Sequence, residues 1–183
     1  MPILLAEPDI FPDHLLSAPV SQASWWVLHT LSRQEKRLCR ALLQREVPFY
    51  CPTIAHHYRS PNGRSRTSYL PLFSSYVFLC GDEEQRYHAI STGCVSRCLK
   101  VSKPEQLLDD LLQIQRLVDL GVPLHPDEQL QPGMRVRVKS GPMQGLEGRI
   151  LKRHDQARLF VAVNFIQCGA SLELGDWELE RLE

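Results

Sequence analysis

No stretch of this sequence approaches the roughly 18 consecutive apolar residues that a bilayer span requires. Net charge is lacking as well. The 183 residues hold 21 basic and 21 acidic side chains, so no global field draws the chain to nucleic acid. The first residues, Met1 to Glu7, lack both the positive flank and the apolar length of a secretory signal. These absences lead to the expectation of a cytoplasmic chain with no membrane role. Its six cysteines are then expected as reduced thiols. Long repeats and low-complexity tracts are missing too. Hydrophobic residues at 43% and charged residues at 23% suit a globular chain, which excludes a disordered polymer, a collagen and a coiled coil.

Catalytic signatures are also missing. There is no G-x-S-x-G, no phosphate-binding loop and no dinucleotide fingerprint. Gly141 to Gly145 holds two glycines, but no Lys-Ser/Thr pair follows the second. His56 and His57 are adjacent on an extended segment, so their side chains point to opposite faces. They read as a solvated strand end rather than a metal pair. Cys94 and Cys98 have no second pair at zinc-finger spacing and read as buried thiols. The expectation is a protein that is not an enzyme and holds no metal and no cofactor.

What is present is an uneven distribution of charge. Residues 25–90 hold nine basic and five acidic side chains, and the excess clusters at Arg33, Lys36, Arg37, Arg40 and Arg45 and at Arg59, Arg64 and Arg66. Residues 1–23, with four prolines and no basic residue, read as a flexible acidic tail. Trp25 to Leu31 suits a strand. Ser32 and Glu35 have the spacing of a capping box that opens a helix ending near Glu46. Phe49 to Tyr58 and Arg64 to Leu70 read as extended arms around the turn signal Ser60-Pro61-Asn62-Gly63. Leu72 to Cys80 reads as a buried strand, and Asp82 as the cap of a short helix. Val95 to Val101 reads as extended. A second capping box, Ser102 to Glu105, opens a helix that Gly121 stops. Residues 121–131 read as a linker. Beyond it, five short strands with glycine corners (134–138, 147–153, 158–165, 170–174 and 177–180) read as a small barrel.

Gly133 to Ile150, a strand running into a glycine turn, resembles the KOW motif. Trp25-Trp26-Val27-Leu28, the helix with its basic face, the Leu70 to Leu79 segment and Thr92-Gly93-Cys94-Val95 together resemble the N-terminal domain of the NusG family. Ser74-Ser75 departs from the Pro-Gly or Pro-Asn usual in that family. The Arg-rich hairpin is similar to that of specialised paralogs of the RfaH kind. The resemblance implies an α+β N-terminal domain over 24–120, an antiparallel sheet flanked by helices. It is followed by the 121–131 linker and a small all-β SH3-like KOW barrel over 132–183.

The resemblance also implies a function: a transcription elongation factor, acting in antitermination or pause control. Its implied partner is RNA polymerase, bound at the clamp of the largest subunit. Trp25, Trp26, Phe73 and Tyr76 match the polymerase-binding positions, though neighbouring Trp residues on a strand face opposite sides. In such paralogs a basic and aromatic surface reads non-template single-stranded DNA. Arg33, Lys36, Arg37, Arg40, Tyr58, Arg59, Arg64 and Arg66 supply both kinds of side chain. Asn164-Phe165-Ile166 resembles the loop by which the barrel docks a small-subunit ribosomal protein, with Phe165 and Ile166 as contacts. Cys168 stands where a basic residue is usual, which disfavours Rho. The Gln85 to His88 stretch does not match the His-Thr-Thr run of RfaH-type proteins. A monomer is expected, and the strand-forming residues of 134–163 favour β structure there over an α-hairpin. The competing reading is a ribosome-associated or RNA-binding KOW protein that never touches polymerase.

Overall fold

The structure, a computed structural model, describes residues 7–17, 24–59, 63, 65–127, 133–153, 156–174 and 178–182. It divides into two compact units, Met1–Ser102 and Lys103–Glu183. The first mixes helices with antiparallel sheet and the second is largely antiparallel sheet, in keeping with the expected fold class.

Strands β1 (Ile10–Phe11), β2 (Ser24–Thr30), β3 (Phe49–Tyr50), β6 (Tyr76–Gly81) and β7 (Val95–Lys100) form the first unit's main sheet, in the order β1-β3-β6-β2-β7. All its pairings are antiparallel. Strands β4 (Thr53–Arg59) and β5 (Ser65–Pro71) make a separate two-stranded ribbon. Its described turn residue Gly63 has φ +74, which glycine adopts without strain. Residues 60–62 and 64 lie outside the described residues. β2 pairs with β6 on one side and β7 on the other, and Trp25, Trp26, Val27 and Leu28 are all buried. On one face Trp26 and Leu28 pack with Leu38, Leu42, Phe49, Val77 and Leu79. Most of these come from the apolar stripe of α1 (Glu35–Gln44) and from β6.

Three sequence readings are corrected here. The tail assigned to 1–23 is folded in part: Ile10 and Phe11 pair with Tyr50 and Phe49, and Leu15 and Leu16 are buried. The prolines of this stretch hide a short apolar strand that has no room to show a period. The Ser32–Glu35 capping box does not form. Helix α1 begins at Glu35 behind Gln34, with no side-chain cap. The carboxylate of Glu35 is buried and accepts from the Ser75 amide at 2.7 Å. The box at Ser102–Glu105 is absent as well, since α3 (Pro104–Asp119) starts behind Lys103 without a side-chain cap. By contrast, Asp82 and Gln85 do make a full capping box for α2 (Glu83–Ser91).

The second unit opens with α3, which packs along strand β11 (Gln156–Val163). The sequence places this helix with the N-terminal module; its contacts group it with the second unit instead. β8 (His125–Asp127) lies inside the segment read as a linker, yet it pairs with β12 (Cys168–Glu173). Pro126 lacks an N–H, and an edge strand tolerates that. With β9 (Met134–Val138), β10 (Glu147–Arg153) and β13 (Leu179–Arg181), the order is β13-β9-β10-β11-β12-β8. The strand-rich character of 134–163 is thus as expected. The sheet is open, however. Among the described residues β13 and β8 do not pair with each other, so closure into the expected barrel is not seen. Both end strands are three residues long. Trp177 lies outside the described residues. Gly145 turns the chain at φ +84, while Gly148 serves a different purpose: a Cβ there would sit 2.5 Å from the Phe160 carbonyl oxygen.

Glu35→Ala should destabilise the chain by about 2 kcal/mol, because it leaves the Ser75 amide without its charged acceptor. Glu35→Gln, which keeps an acceptor oxygen, should cost clearly less. Urea unfolding of both variants measures the difference, and equal losses would mean that the hydrogen bond to Ser75 is not what Glu35 supplies.

Candidate functional site

The residues expected to grip polymerase fall on two faces of the main sheet. Trp26 points toward α1, and its indole N–H donates to the Gly81 carbonyl at 3.1 Å. Arg86 and Lys100 lie over its ring at 5.2 and 5.3 Å. The strand registers put Trp25, Val27 and His29 on the opposite face, level with Cys80, Phe78 and Tyr76. Phe73 meets Phe78 edge to face at 6.4 Å, and Tyr50 joins at 6.5 Å. Of this aromatic face, Trp25 and Phe73 are buried. Tyr76 is half-buried and touches His29 edge to face at 5.0 Å. Leu99, opposite Val27, is 43% exposed. Leu99 and His29 are absent from the sequence reading. Strand alternation from Val95 to Lys100, in register with β2, is the signal that could have found Leu99.

The nucleic-acid candidates form two groups within the first unit. Arg33, Arg37 and Arg40 are exposed at the start of and along α1, and Lys36 is half-buried. Arg40 pairs with Glu7 at 3.3 Å. Tyr58, Arg59 and Arg66 are exposed on the ribbon; Arg64 lies outside the described residues. Lys36 of α1 and Thr53 and Tyr69 at the ribbon's base line one small cavity of about 20 Å³. Cys39 and Cys51 line it too. The neighbouring Cys51 thiol, together with burial, holds the Cys39 thiol well above its ordinary range, which keeps it protonated and unreactive. His56 and His57 do point apart. His56 stacks on Tyr58 at 6.1 Å, and His57 shares a 2.9 Å hydrogen bond with Thr67. Cys94 is buried and Cys98 half-buried, with burial pushing the Cys98 thiol up. Among the described residues no group of three or more His, Cys, Asp or Glu could hold a metal ion, and no helix is long and apolar enough to cross a membrane.

In the second unit, Asn164–Ile166 form a single 3-10 turn, closed by Gln167 at φ 56. Phe165 is half-buried and Ile166 is 7% exposed. α3 holds this turn: the Asn164 backbone N–H donates to the Asp110 carboxylate at 2.8 Å and its side-chain amide at 3.1 Å. Further along α3, Gln113 accepts from the Glu147 amide and Arg116 donates to the Gln144 carbonyl. Burial pushes the Asp110 carboxyl above the ordinary carboxylate range, and the hydrogen bonds from Asn164 only partly oppose it.

Two outcomes follow. Phe73→Ala should cost about 3 kcal/mol of folding stability, so any loss of binding must be read at temperatures where the variant is folded; a calorimetric melt checks this. For Asp110, the folded state binds its proton more tightly than the unfolded state. Stability should therefore fall as pH rises from the ordinary carboxylate value through the raised one. Asp110→Asn should flatten that part of the stability profile in urea unfolding at stepped pH.

Comparison with known proteins supplies the family. Among curated proteins none matches the sequence. A crystal structure of an MjSpt4:Spt5 complex in conformation B is similar at 13% identity, covering 86% of this chain and 97% of that chain, with a TM-score of 0.27; at that score it carries no argument. The family model described as transcription termination factor nusG matches residues 23–116. This span holds the main sheet from β2 to β7, the ribbon and the aromatic face, and it is more than half of the sequence. The chain therefore belongs to the NusG family of transcription elongation factors.

Proposed function

We propose that this protein is a specialised, non-catalytic elongation factor that binds RNA polymerase at the clamp of its largest subunit and suppresses pausing or termination. The observation that carries this reading is the family match over 23–116, because that span contains the sheet face built from Trp25, Val27, Phe73, Tyr76 and Phe78. Interfaces gain most of their affinity from a few aromatic anchors in a desolvated centre. On this face Tyr76 and Leu99 reach solvent and offer the first contacts, while Trp25 and Phe73 shape the surface from beneath. Trp26 belongs to the α1 side and supports the sheet. No bond is made or broken; the factor biases the polymerase toward its elongating conformation.

The basic side chains of α1 and the ribbon face the non-template single strand in this reading. The second unit acts as an SH3-like KOW module. Its Phe165–Ile166 turn docks a small-subunit ribosomal protein rather than Rho. The protein works as a cytoplasmic monomer.

Elongation in vitro on terminator templates, with and without the full chain, tests the proposal: readthrough should rise when the protein is present. Tyr76→Ala and Leu99→Ala should each weaken polymerase binding by about 1 kcal/mol or more while leaving the unfolding midpoint near that of the parent. Unchanged readthrough together with no polymerase binding would reject the reading.

A further inference from the structure

The turn that carries Phe165 is tied to a helix as well as to its own strands. Helix α3 holds Asp110, Gln113 and Arg116 at i, i+3 and i+6, a spacing that lines side chains up along one side of a helix. Each of the three bonds to a turn of the second unit. The Asp110 carboxylate accepts from the Asn164 backbone N–H at 2.8 Å and from its side-chain amide at 3.1 Å. The Gln113 side-chain oxygen accepts from the Glu147 backbone N–H at 2.8 Å. Arg116 donates to the Gln144 carbonyl at 2.9 Å.

These bonds go to two different turns at one end of the sheet. β9 and β11 both pair antiparallel with β10, so they run in the same direction. The connection after β9, residues 139–146, and the connection after β11, residues 164–167, therefore share an end. Two such connections stand about 10 Å apart, because each pair of neighbouring strands adds about 4.8 Å. From Asp110 to Arg116 the helix rises about 9 Å, so one helix face reaches both. Asp110, Gln113, Phe160 and Asn164 line one cleft of about 340 Å³, which places α3 on the Phe160 side of β11. That face has little slack, since a Cβ on Gly169 would lie 2.5 Å from the Phe160 ring.

The turn itself has a strained closure. Gln167 takes φ 56, a left-handed conformation that a residue other than glycine keeps only where its surroundings hold it. Its backbone N–H and its side-chain amide both donate to the Asn164 carbonyl, at 3.2 and 2.5 Å. The closure thus converges on Asn164, and Asn164 is in turn held by Asp110. Ile166 is buried as the root of the turn, while Phe165 stays half-buried and keeps part of its ring for a partner.

We propose that α3 is part of the docking end of the second unit, and that Asp110 is a positioning residue which fixes Asn164 so that Phe165 meets a protein partner already in its bound conformation. The inference rests on the docking role given above to Phe165 and Ile166. The family match ends at residue 116, so most of α3 lies inside the matched span, yet its bonds serve the other unit. The partner surface that suits this end is an apolar pocket for one aromatic ring, with a polar rim to face Asn164 and Gln167. A turn ordered before encounter lowers the entropy cost of binding.

The test uses the full chain. Amide hydrogen exchange is measured at residues 164–168, and binding to purified small ribosomal subunits is measured at a temperature where circular dichroism shows each variant folded. Asp110→Ala should speed exchange at 164–168 by about tenfold or more and weaken subunit binding by about tenfold, as loss of hydrogen bonds to a charged acceptor implies. Gln113→Ala removes a bond from the same helix to the other turn, and it should leave exchange at 164–168 and binding near those of the parent. A helix that only stabilises the unit would make the two variants alike. Asp110→Asn combined with Asn164→Asp exchanges the two partners and should recover most of both readouts, which Asn164→Asp alone should not. Phe165→Ala should abolish binding with exchange at the turn little changed. An Asp110→Ala variant that binds like the parent would overturn the proposal while leaving the docking reading intact. One that binds more tightly would overturn it too, because the helix would then cover the turn. Failure of the parent to bind subunits would reject the docking reading, and the proposal with it.

Discussion

The first unit depends on one constraint, that β2 is covered on both faces. A central strand with Trp25, Trp26, Val27 and Leu28 all buried cannot offer its own side chains to a partner. Burying each such side chain contributes on the order of 2 kcal/mol, so exposing any of them would forfeit more than a typical interface contact returns. Apart from half-buried His29, what this sheet presents to another molecule must come from strands and loops beside β2. Tyr76 and Leu99 meet that condition, and Trp26, pinned by the Gly81 carbonyl beneath two cations, does not.

The ribbon is the exception to this rule. A two-stranded hairpin alone is marginally stable in water, and exposed aromatics and uncompensated arginines do nothing to remedy that. Its base is better supported. Ile54 and Tyr69 are half-buried, and Pro52 accepts from the Leu72 amide at 2.7 Å. Exposure then increases toward the tip, where His56, Tyr58, Arg59 and Arg66 stand. The buried carboxylate of Glu35, elsewhere in the unit, is by contrast tied to the backbone. A surface that exposes side chains this way without structural return is where binding is to be sought.

Much of this was legible in the sequence, and what was not has physical causes. β2, β4, β5, β7, α2 and α3 follow from composition, period and caps, and the ribbon from its Asn-Gly turn signal. The folded part of the N-terminal tail was hidden, because a two-residue strand has no period and its stability comes from pairing with β3. β8 was hidden behind Pro126 in the same way. The site was half legible. Residue type marked Tyr58 and the arginines, but only the register across the ribbon sets His56 and Arg66 beside Tyr58. Conversely, aromatic type marked Trp25, Trp26 and Phe73, and burial depends on neighbours that lie far along the chain.

Position 75 shows how one residue's backbone conformation propagates. The segment before β6 needs a left-handed residue, and Ser75 takes φ 65 there. Glycine would do so freely; serine costs about 1–2 kcal/mol. A hydrogen bond to a charged acceptor contributes about 1.5–3 kcal/mol, enough to offset that. Glu35 supplies it from the first turn of α1, and the Ser75 carbonyl accepts from Thr30 at 2.8 Å on the other side. A carboxylate committed to Ser75 cannot also reach back to the Ser32 amide, so the capping box is lost and the helix begins at Glu35. A missing cap costs about 1 kcal/mol, less than an unmet buried amide together with the strain. The serine, the uncapped helix and the buried glutamate are thus one arrangement, and it fixes the loop that carries Phe73 against the aromatic face.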